Sequence, residues 1–283
     1  MSERVAVSLG PVQETLLVPL YGRATMTRQG AELISDPKAV EMVAAIDYDF
    51  SRFDGTMSLV GSVLRTRIFD RWISRWLDEH PTGTIVEIGA GLNTRYERLD
   101  NGRARWFELD LPDVMELRRR FFAETDRRRM LAGSVLDEDW CREVARTGGP
   151  WFLAAEAVFI YLQPSEVERI VATIARHVPG STLAFDTWGE WMRDHQDDHD
   201  TIGAMDARFT WFCEDPSELA AAEAALELLE RYTFLDAPTE VLDLLPPPLR
   251  EMLPTFRDDP QMNTYHQNLA VVRSRRAESG SRS

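Results

Sequence analysis

Thr84-Ile-Val-Glu-Ile-Gly-Ala-Gly-Leu-Asn-Thr-Arg95, followed shortly by Arg105-Trp-Phe-Glu-Leu-Asp-Leu111, decides the fold. An apolar run (Ile85, Val86, Ile88) breaks into glycines at Gly89 and Gly91, and a second run (Trp106, Phe107, Leu109) ends on Asp110. The order is strand, glycine turn, short helix, strand, acid, which is the opening of a nucleotide-type crossover. Glycine lets the backbone approach a ligand where a side chain would clash. An acid at the carboxyl end of the second strand, about 20 residues on, can accept both hydroxyls of a ribose.

The same stretch excludes some ligands. The position three after Gly91 is Thr94, so the third glycine of a pyrophosphate site is absent. No phosphate-loop motif occurs either, and Lys38 is the only lysine in the chain. The expected ligand is therefore adenosine-like, with a ribose and without a diphosphate; S-adenosylmethionine fits. Glu87, just before the turn, stands where such sites place an acid near the ligand's amino-acid or ribose end.

The flanks extend the pattern. Strands are predicted at 84–88, 104–110, 129–135, 151–156 and 181–186, with helices at 112–126, 137–146 and 164–177. Alternation of this kind predicts a parallel sheet covered on both faces. Residues 1–80 read as helical: 12–27, a helix opened by Asp36-Pro37, and a long one over 57–80. In the last, Val60, Leu64, Ile68, Trp72 and Trp76 recur every four residues. Residues 188–215 read as irregular and aromatic-rich. A helix is expected at 216–231, a strand at 232–236, a loop at Pro246-Pro247-Pro248 and a last strand at 268–274. The tail from Arg275 is polar and expected to be disordered.

Composition narrows the function. The chain has 283 residues and a formal net charge of -15, which opposes nonspecific binding to nucleic acid. The arginine clusters 118–120 and 127–129 read as a solvated helix face and its end. Cys141 and Cys213 are too few for a disulfide framework. The opening residues do not read as a signal peptide and no run approaches a membrane span, so a cytoplasmic protein is expected, without membrane or nucleic-acid partners. His195 and His199 stand at i, i+4 among acids, a metal spacing if helical. A solvated acidic helix or lid is the favoured reading, with no metal.

These motifs resemble the leucine carboxyl methyltransferase superfamily, and within it the tetracenomycin type of bacterial polyketide O-methyltransferase. The resemblance covers about residues 8–275. It rests on Glu-Ile-Gly-Ala-Gly-Leu-Asn-Thr-Arg at 87–95, Glu-Leu-Asp-Leu-Pro at 108–112, Asp139-Trp140, Ala-Glu-Ala-Val-Phe-Ile-Tyr-Leu at 155–162 and Leu-Arg-Thr-Arg at 64–67. It implies a class I, Rossmann-like α/β methyltransferase fold with a mostly parallel seven-stranded sheet. An N-terminal helical cap would span 1–80, the cofactor-binding core 81–187, a lid or substrate insert 188–231, and the completing strands 232–275.

The resemblance also implies residue roles around S-adenosylmethionine. Arg65 would grip the methionine carboxylate, and Gly89 and Gly91 would pass under the methionine and ribose. Asp110 would bind the ribose hydroxyls with Leu111 packing nearby. Ser134, Val135 and Leu136 would border the adenine, and Glu156 would close the site near the amino group. Position 93 is Asn where relatives usually carry Asp, and position 135 is Val where many carry an acid. Adenine recognition would then fall to backbone groups or to the Ser134 hydroxyl.

The expected activity is methyl transfer to an oxygen, carboxylate or phenol, of a small polyketide-like natural product. A carboxylate is already ionised at neutral pH, whereas a phenol, with a pKa of about 10, benefits from a base. No residue announces itself as that base. Tyr21, Asp186, Trp188 and Trp211 are the candidate substrate contacts. A peptide or protein carboxylate as acceptor, and a cofactor-binding regulator without catalysis, are the alternatives.

Overall fold

The structure, a computed structural model, describes residues 4–222, 226–258 and 267–274. Its centre is a seven-stranded sheet in the order β5-β4-β3-β6-β7-β9-β8. The strands are β3 (Thr84–Ile88), β4 (Arg105–Asp110), β5 (Arg128–Ala132), β6 (Trp151–Ala155), β7 (Thr182–Trp188), β8 (Leu226–Tyr232) and β9 (Gln267–Ser274). Six run in one direction, and β9 lies antiparallel between β7 and β8. From β3 the chain first winds outward through β4 and β5, then returns to β6 on the other side. That reversal opens a crevice at the carboxyl ends of β3 and β6, the place where open α/β sheets bind ligands.

The sheet's residues alternate between two cores. Ile85, Trp106, Phe152 and Leu269 pack on one face against α4 (Met57–Glu79). Val86, Phe107, Leu153 and Leu183 pack on the other, against α7 (Asp139–Ala145) and α8 (Pro164–His177). β3, buried at every position, shows the continuous apolar character of a strand covered on both sides. The helix α8 starts as expected: Pro164 takes the first turn and the Glu166 carboxylate accepts from the Gln163 backbone N–H at 2.8 Å.

A third core caps the carboxyl edge. It joins α2 (Leu17–Arg28) and α3 (Pro37–Ala45) to Leu92, Met115 and the Trp188–Phe212 insert. Asp36 caps α3 as predicted, accepting from Ala39 N at 2.9 Å. A short parallel pair, β1 (Val5–Ala6) with β2 (Ile46–Asp47), joins the cap and was not foreseen. The predicted helix at 12–27 is two pieces, α1 (Pro11–Glu14) and α2.

Three further expectations are corrected. The 112–126 helix stops early, as α6 (Pro112–Arg118). The chain turns there so that Phe122 packs under the Arg118 and Arg128 guanidiniums, 4.3 and 4.7 Å from its ring centre. The predicted 216–231 helix is α9 (Pro216–Ala222) and then the strand β8, not a strand at 232–236. Local helix propensity in Leu226–Arg231 yields to ladder pairing with β9, accommodated by a register shift between Leu228 and Glu230. The proline run opens a helix, α11 (Pro247–Asp258), because proline is tolerated in a first turn. The polar tail lies outside the described residues.

The packing of α2 on α4 depends on Gly22. A Cβ there would sit 2.8 Å from the Leu59 carbonyl oxygen and 3.1 Å from Ser62 Oγ. Gly22→Ala should lower the unfolding free energy by about 1–3 kcal/mol through overpacking, read by urea denaturation. An unchanged midpoint would mean that the two helices slide apart freely.

Candidate active site

β3 ends at Ile88 and passes into the glycine turn. Gly89 and Gly91 have φ of 64° and 47°, which side-chain-bearing residues avoid. A Cβ on Gly89 would meet Val158 Cγ2 at 2.3 Å. Asp110, at the end of β4, faces the turn from the neighbouring strand. Its Oδ2 accepts from Gly91 N at 2.7 Å and its Oδ1 from Leu111 N at 2.7 Å. Burial raises its pKa, and the two backbone donors oppose that rise. Each oxygen keeps a lone pair for a further donor.

Arg118 anchors the turn from below. Its Nη1 donates to the carbonyls of Gly91 (2.9 Å) and Asn93 (2.8 Å), while Nε and Nη2 meet Glu108 at 3.0 and 2.6 Å. Arg128 completes the pairing, with Nη2 on Glu108 at 2.8 Å and Nη1 on Glu97 at 2.6 Å. Arg118 and Arg128 are therefore buried structural cations, not part of a solvated helix face. Glu108 is costly to bury, but the two guanidiniums hold its pKa below the ordinary range.

A second buried arginine, Arg95, opens the short helix α5 (Arg95–Leu99). It reaches three carboxylates: Asp70 at 2.7 Å, Glu87 at 2.6 Å and Glu156 at 2.5 Å. Glu156 also accepts from Thr66 Oγ1 (2.7 Å) and Arg65 Nε (3.2 Å). Burial would raise its pKa, but Arg95, Arg65 and Thr66 hold it at about 2. Glu87 differs: burial pushes it up to about 7 despite Arg95, with Glu156, Glu108 and Asp70 adding to the rise. Its second oxygen, Oε1, is buried and has no hydrogen-bond partner among the described residues.

The glycine turn, Asp110, Glu87 and Glu156 face one cavity of about 920 Å³, whereas Arg95, Arg118 and Arg128 are not on its wall. Arg65, Glu87, Gly89, Gly91, Asp110, Leu111, Ser134, Val135 and Glu156 line it, as does Trp188. Leu136 packs into the core beside α7 instead of on the wall. The other three candidate substrate contacts are also off the wall. Tyr21 stacks on Phe50 at 5.3 Å and donates to Asp54 at 2.6 Å. Asp186 is fully buried behind Arg65, 3.7 Å from its Nη1, with burial pushing its pKa up to about 6 against that arginine. Trp211 sits in the lower core, 6.1 Å from the Phe159 ring centre and 5.8 Å from that of Phe185.

The rest of the wall was not foreseen. It is largely apolar and includes Leu16 and Pro19 of the cap, Met57 and Val60 of α4, Phe234, and Leu249, Met252 and Phe256 of α11. These segments are far apart in sequence, and only the amphipathic spacing of α11 could have flagged one of them. His199 also lines the cavity and is buried, not a solvated lid residue. Its Nδ1 accepts from Thr201 N and Ile202 N at 3.3 and 3.2 Å, and burial lowers its pKa. His195 stacks on Trp191 instead, ring centres 3.8 Å apart. Among the described residues no group of three His, Cys, Asp or Glu could hold a metal, and no helix is long and apolar enough to cross a membrane.

The residues present fit the expected cofactor. A glycine turn that excludes side chains, an acid with spare lone pairs and an unpaired buried carboxylate oxygen suit an adenosine bearing a ribose and an amino-acid end. The fold is shared with a candidate methyltransferase of Thermobifida fusca of known structure: TM-score 0.56, 17% identity, 92% of this chain and 96% of that one. A tetracenomycin polyketide synthesis O-methyltransferase of Streptomyces glaucescens is 33% identical over 82% of this chain and 86% of its own. An S-adenosylmethionine-dependent methyltransferase of Gibberella zeae is 27% identical over 81% and 84%. Fold, site and relatives together define an S-adenosylmethionine-dependent methyltransferase with a class I, Rossmann-like fold. The family model for leucine carboxyl methyltransferases matches residues 17–175, and the chain belongs to that family.

Because Trp211 is core, Trp211→Ala should cost about 3–5 kcal/mol of stability, read by chemical denaturation. A stable variant with only a raised acceptor KM would return Trp211 to the substrate wall.

Proposed function

We propose that the protein transfers a methyl group to an oxygen of a small, largely apolar, polyketide-like acceptor. The observation that carries this reading is that one cavity is lined both by the charged Arg65, Glu87 and Glu156 and by a largely apolar set of side chains. Its volume of about 920 Å³ is near the top of the range for small-molecule sites, roughly 300–1,000 Å³. Cofactor and acceptor can therefore lie in it together. The Streptomyces glaucescens relative, named for tetracenomycin polyketide synthesis, supports the acceptor class.

In this reading Asp110 holds the ribose hydroxyls, with Leu111 beside it. Gly89 and Gly91 bring the backbone under the cofactor, and Ser134 and Val135 border the adenine, with Leu136 supporting from behind. Arg65 faces the cofactor's carboxylate, and Glu87 and Glu156 make up the acidic wall at its amino-acid end. When bound, S-adenosylmethionine would supply a methyl group on a sulfonium, activated because its leaving group is a neutral thioether. The protein's task is then to align the acceptor oxygen and keep water out. The apolar wall does both, since Phe234, Met252 and Phe256 offer a flat acceptor dispersion contact and no competing hydrogen bond. Burial lowers the pKa of His199, and its Nδ1 accepts from two backbone donors.

The test is transfer of radiolabelled methyl to aromatic acids and phenols, with wild type and Asp110→Ala side by side. Labelled product from wild type and an affinity for the cofactor reduced at least about tenfold in the variant are expected, since hydrogen bonds to a charged group are worth about 1.5–3 kcal/mol. Base-labile label would identify an ester and stable label an ether. Cofactor binding without transfer to any acceptor would overturn the catalytic reading.

Glu87 predicts a pH dependence. Folded, it loses its proton near pH 7; unfolded, near its ordinary 4.5. Without ligand, its burial therefore costs more stability as pH rises through that window. A ligand that donates to Glu87 favours the ionised form. Cofactor affinity should thus fall as pH drops below about 7, with a proton released on binding at pH 6. Calorimetry in buffers of different ionisation enthalpy reads that proton directly.

A further inference from the structure

Glu156 and Glu87 both line the cavity, but they are not equivalent. Glu156 Oε1 accepts from Thr66 and Arg65 and Oε2 from Arg95, so only Oε2 keeps a lone pair. Glu87 gives Oε2 to Arg95 and leaves Oε1 buried without a partner among the described residues. A buried acceptor left unmade costs free energy, and persists where a ligand completes it. Arg95 controls both carboxylates at once. Its guanidinium is wholly buried, and its third contact, Asp70 on α4, fixes its plane. Asp70 is in turn held by Arg98 at 2.9 Å, and Asn93 Oδ1 accepts from the Arg95 backbone N–H at 3.0 Å. The rigid planar fork of arginine fixes the three carboxylates in one arrangement, which a lysine ammonium, a point charge with rotating donors, does not impose.

We propose that Arg95 is the positioning residue for the cofactor's amino-acid end: by holding one oxygen each of Glu87 and Glu156, it leaves Glu87 Oε1 as the acceptor for the cofactor's ammonium group. This rests on the cavity being the cofactor site. It adds Glu87 Oε1 to the ammonium contact that Glu156 can make through the remaining lone pair of Oε2. Arg95 itself touches no ligand and acts only through the two acids.

Two ligands separate positioning from general support. S-adenosylhomocysteine carries the amino-acid end; 5′-methylthioadenosine is the same adenosine thioether without it. Their Kd values would be measured by calorimetry on wild type, Arg95→Lys and Glu87→Gln, with thermal melts to follow folding. Arg95→Lys should bind S-adenosylhomocysteine about tenfold or more weakly and methylthioadenosine as wild type does. Equal loss of both ligands, or no loss of the homocysteine compound, would overturn the assignment. Should Arg95→Lys not fold, Glu87→Gln decides. With Arg95 in place, the oxygen of the new side-chain amide must face the guanidinium, so its NH₂ meets the ammonium and the same selective loss is expected. Wild-type affinity for S-adenosylhomocysteine in Glu87→Gln would sink the proposal. Wild type binding neither compound would overturn the cavity's reading as a cofactor site, an outcome distinct from equal loss in the variant.

Discussion

The buried guanidiniums of Arg95 and Arg118 are the constraint on which the site depends. A charge taken out of water is expensive, and one left without its partner costs about 3–5 kcal/mol. Arg95 ties α4, β3 and β6 together through Asp70, Glu87 and Glu156. Arg118 ties β4 to the carbonyls of the glycine turn through Glu108. Any shift of the turn against the sheet would uncover one of these charges. Such pairs add little net stability, because desolvation offsets attraction. What they give is one allowed geometry, so the turn is set before a ligand arrives. A site arranged in advance need not be reorganised at the moment of reaction.

The rest of the cavity's lining is built on other terms. It consists mainly of apolar side chains from α2, the start of α4, Phe234 and α11. Apolar contact is non-directional and tolerates repacking. The cavity thus combines charged walls fixed by ion pairs with apolar walls that can repack.

The sheet's first half was legible because its signals are local. The apolar run into Gly89 and Gly91, the acid at Asp110 and the four-residue spacing in α4 each report on one element. β8 was not legible: Leu226–Arg231 has good helix formers, and only its pairing with β9, some 40 residues on, makes it a strand. Arg95, Arg118 and Arg128 were missed for a related reason. An arginine in sequence reads as solvated until a buried carboxylate from another strand is known. Trp211 failed in the reverse direction, since aromatics in an irregular insert look like a substrate wall, and only the fold shows that this one faces the lower core. Trp188, at the start of the same insert, does face the cavity.

Gln267, the first residue of β9, reaches across to the charged wall. Its Nε2 donates to Asp186 and its Oε1 accepts from Arg65 Nη1 at 3.4 Å. Arg65 is thus oriented partly by the strand that comes last of the seven in sequence yet lies inside the sheet, between β7 and β8. During synthesis the glycine turn, Asp110 and Glu156 leave the ribosome well before that strand does. A nascent chain therefore has most of the cavity's charged wall but an Arg65 that lacks its Gln267 contact and an open sheet edge beside β7. The charged wall reaches its final form only when β9 has slotted between its neighbours, so binding at that wall reports on closure of the whole sheet.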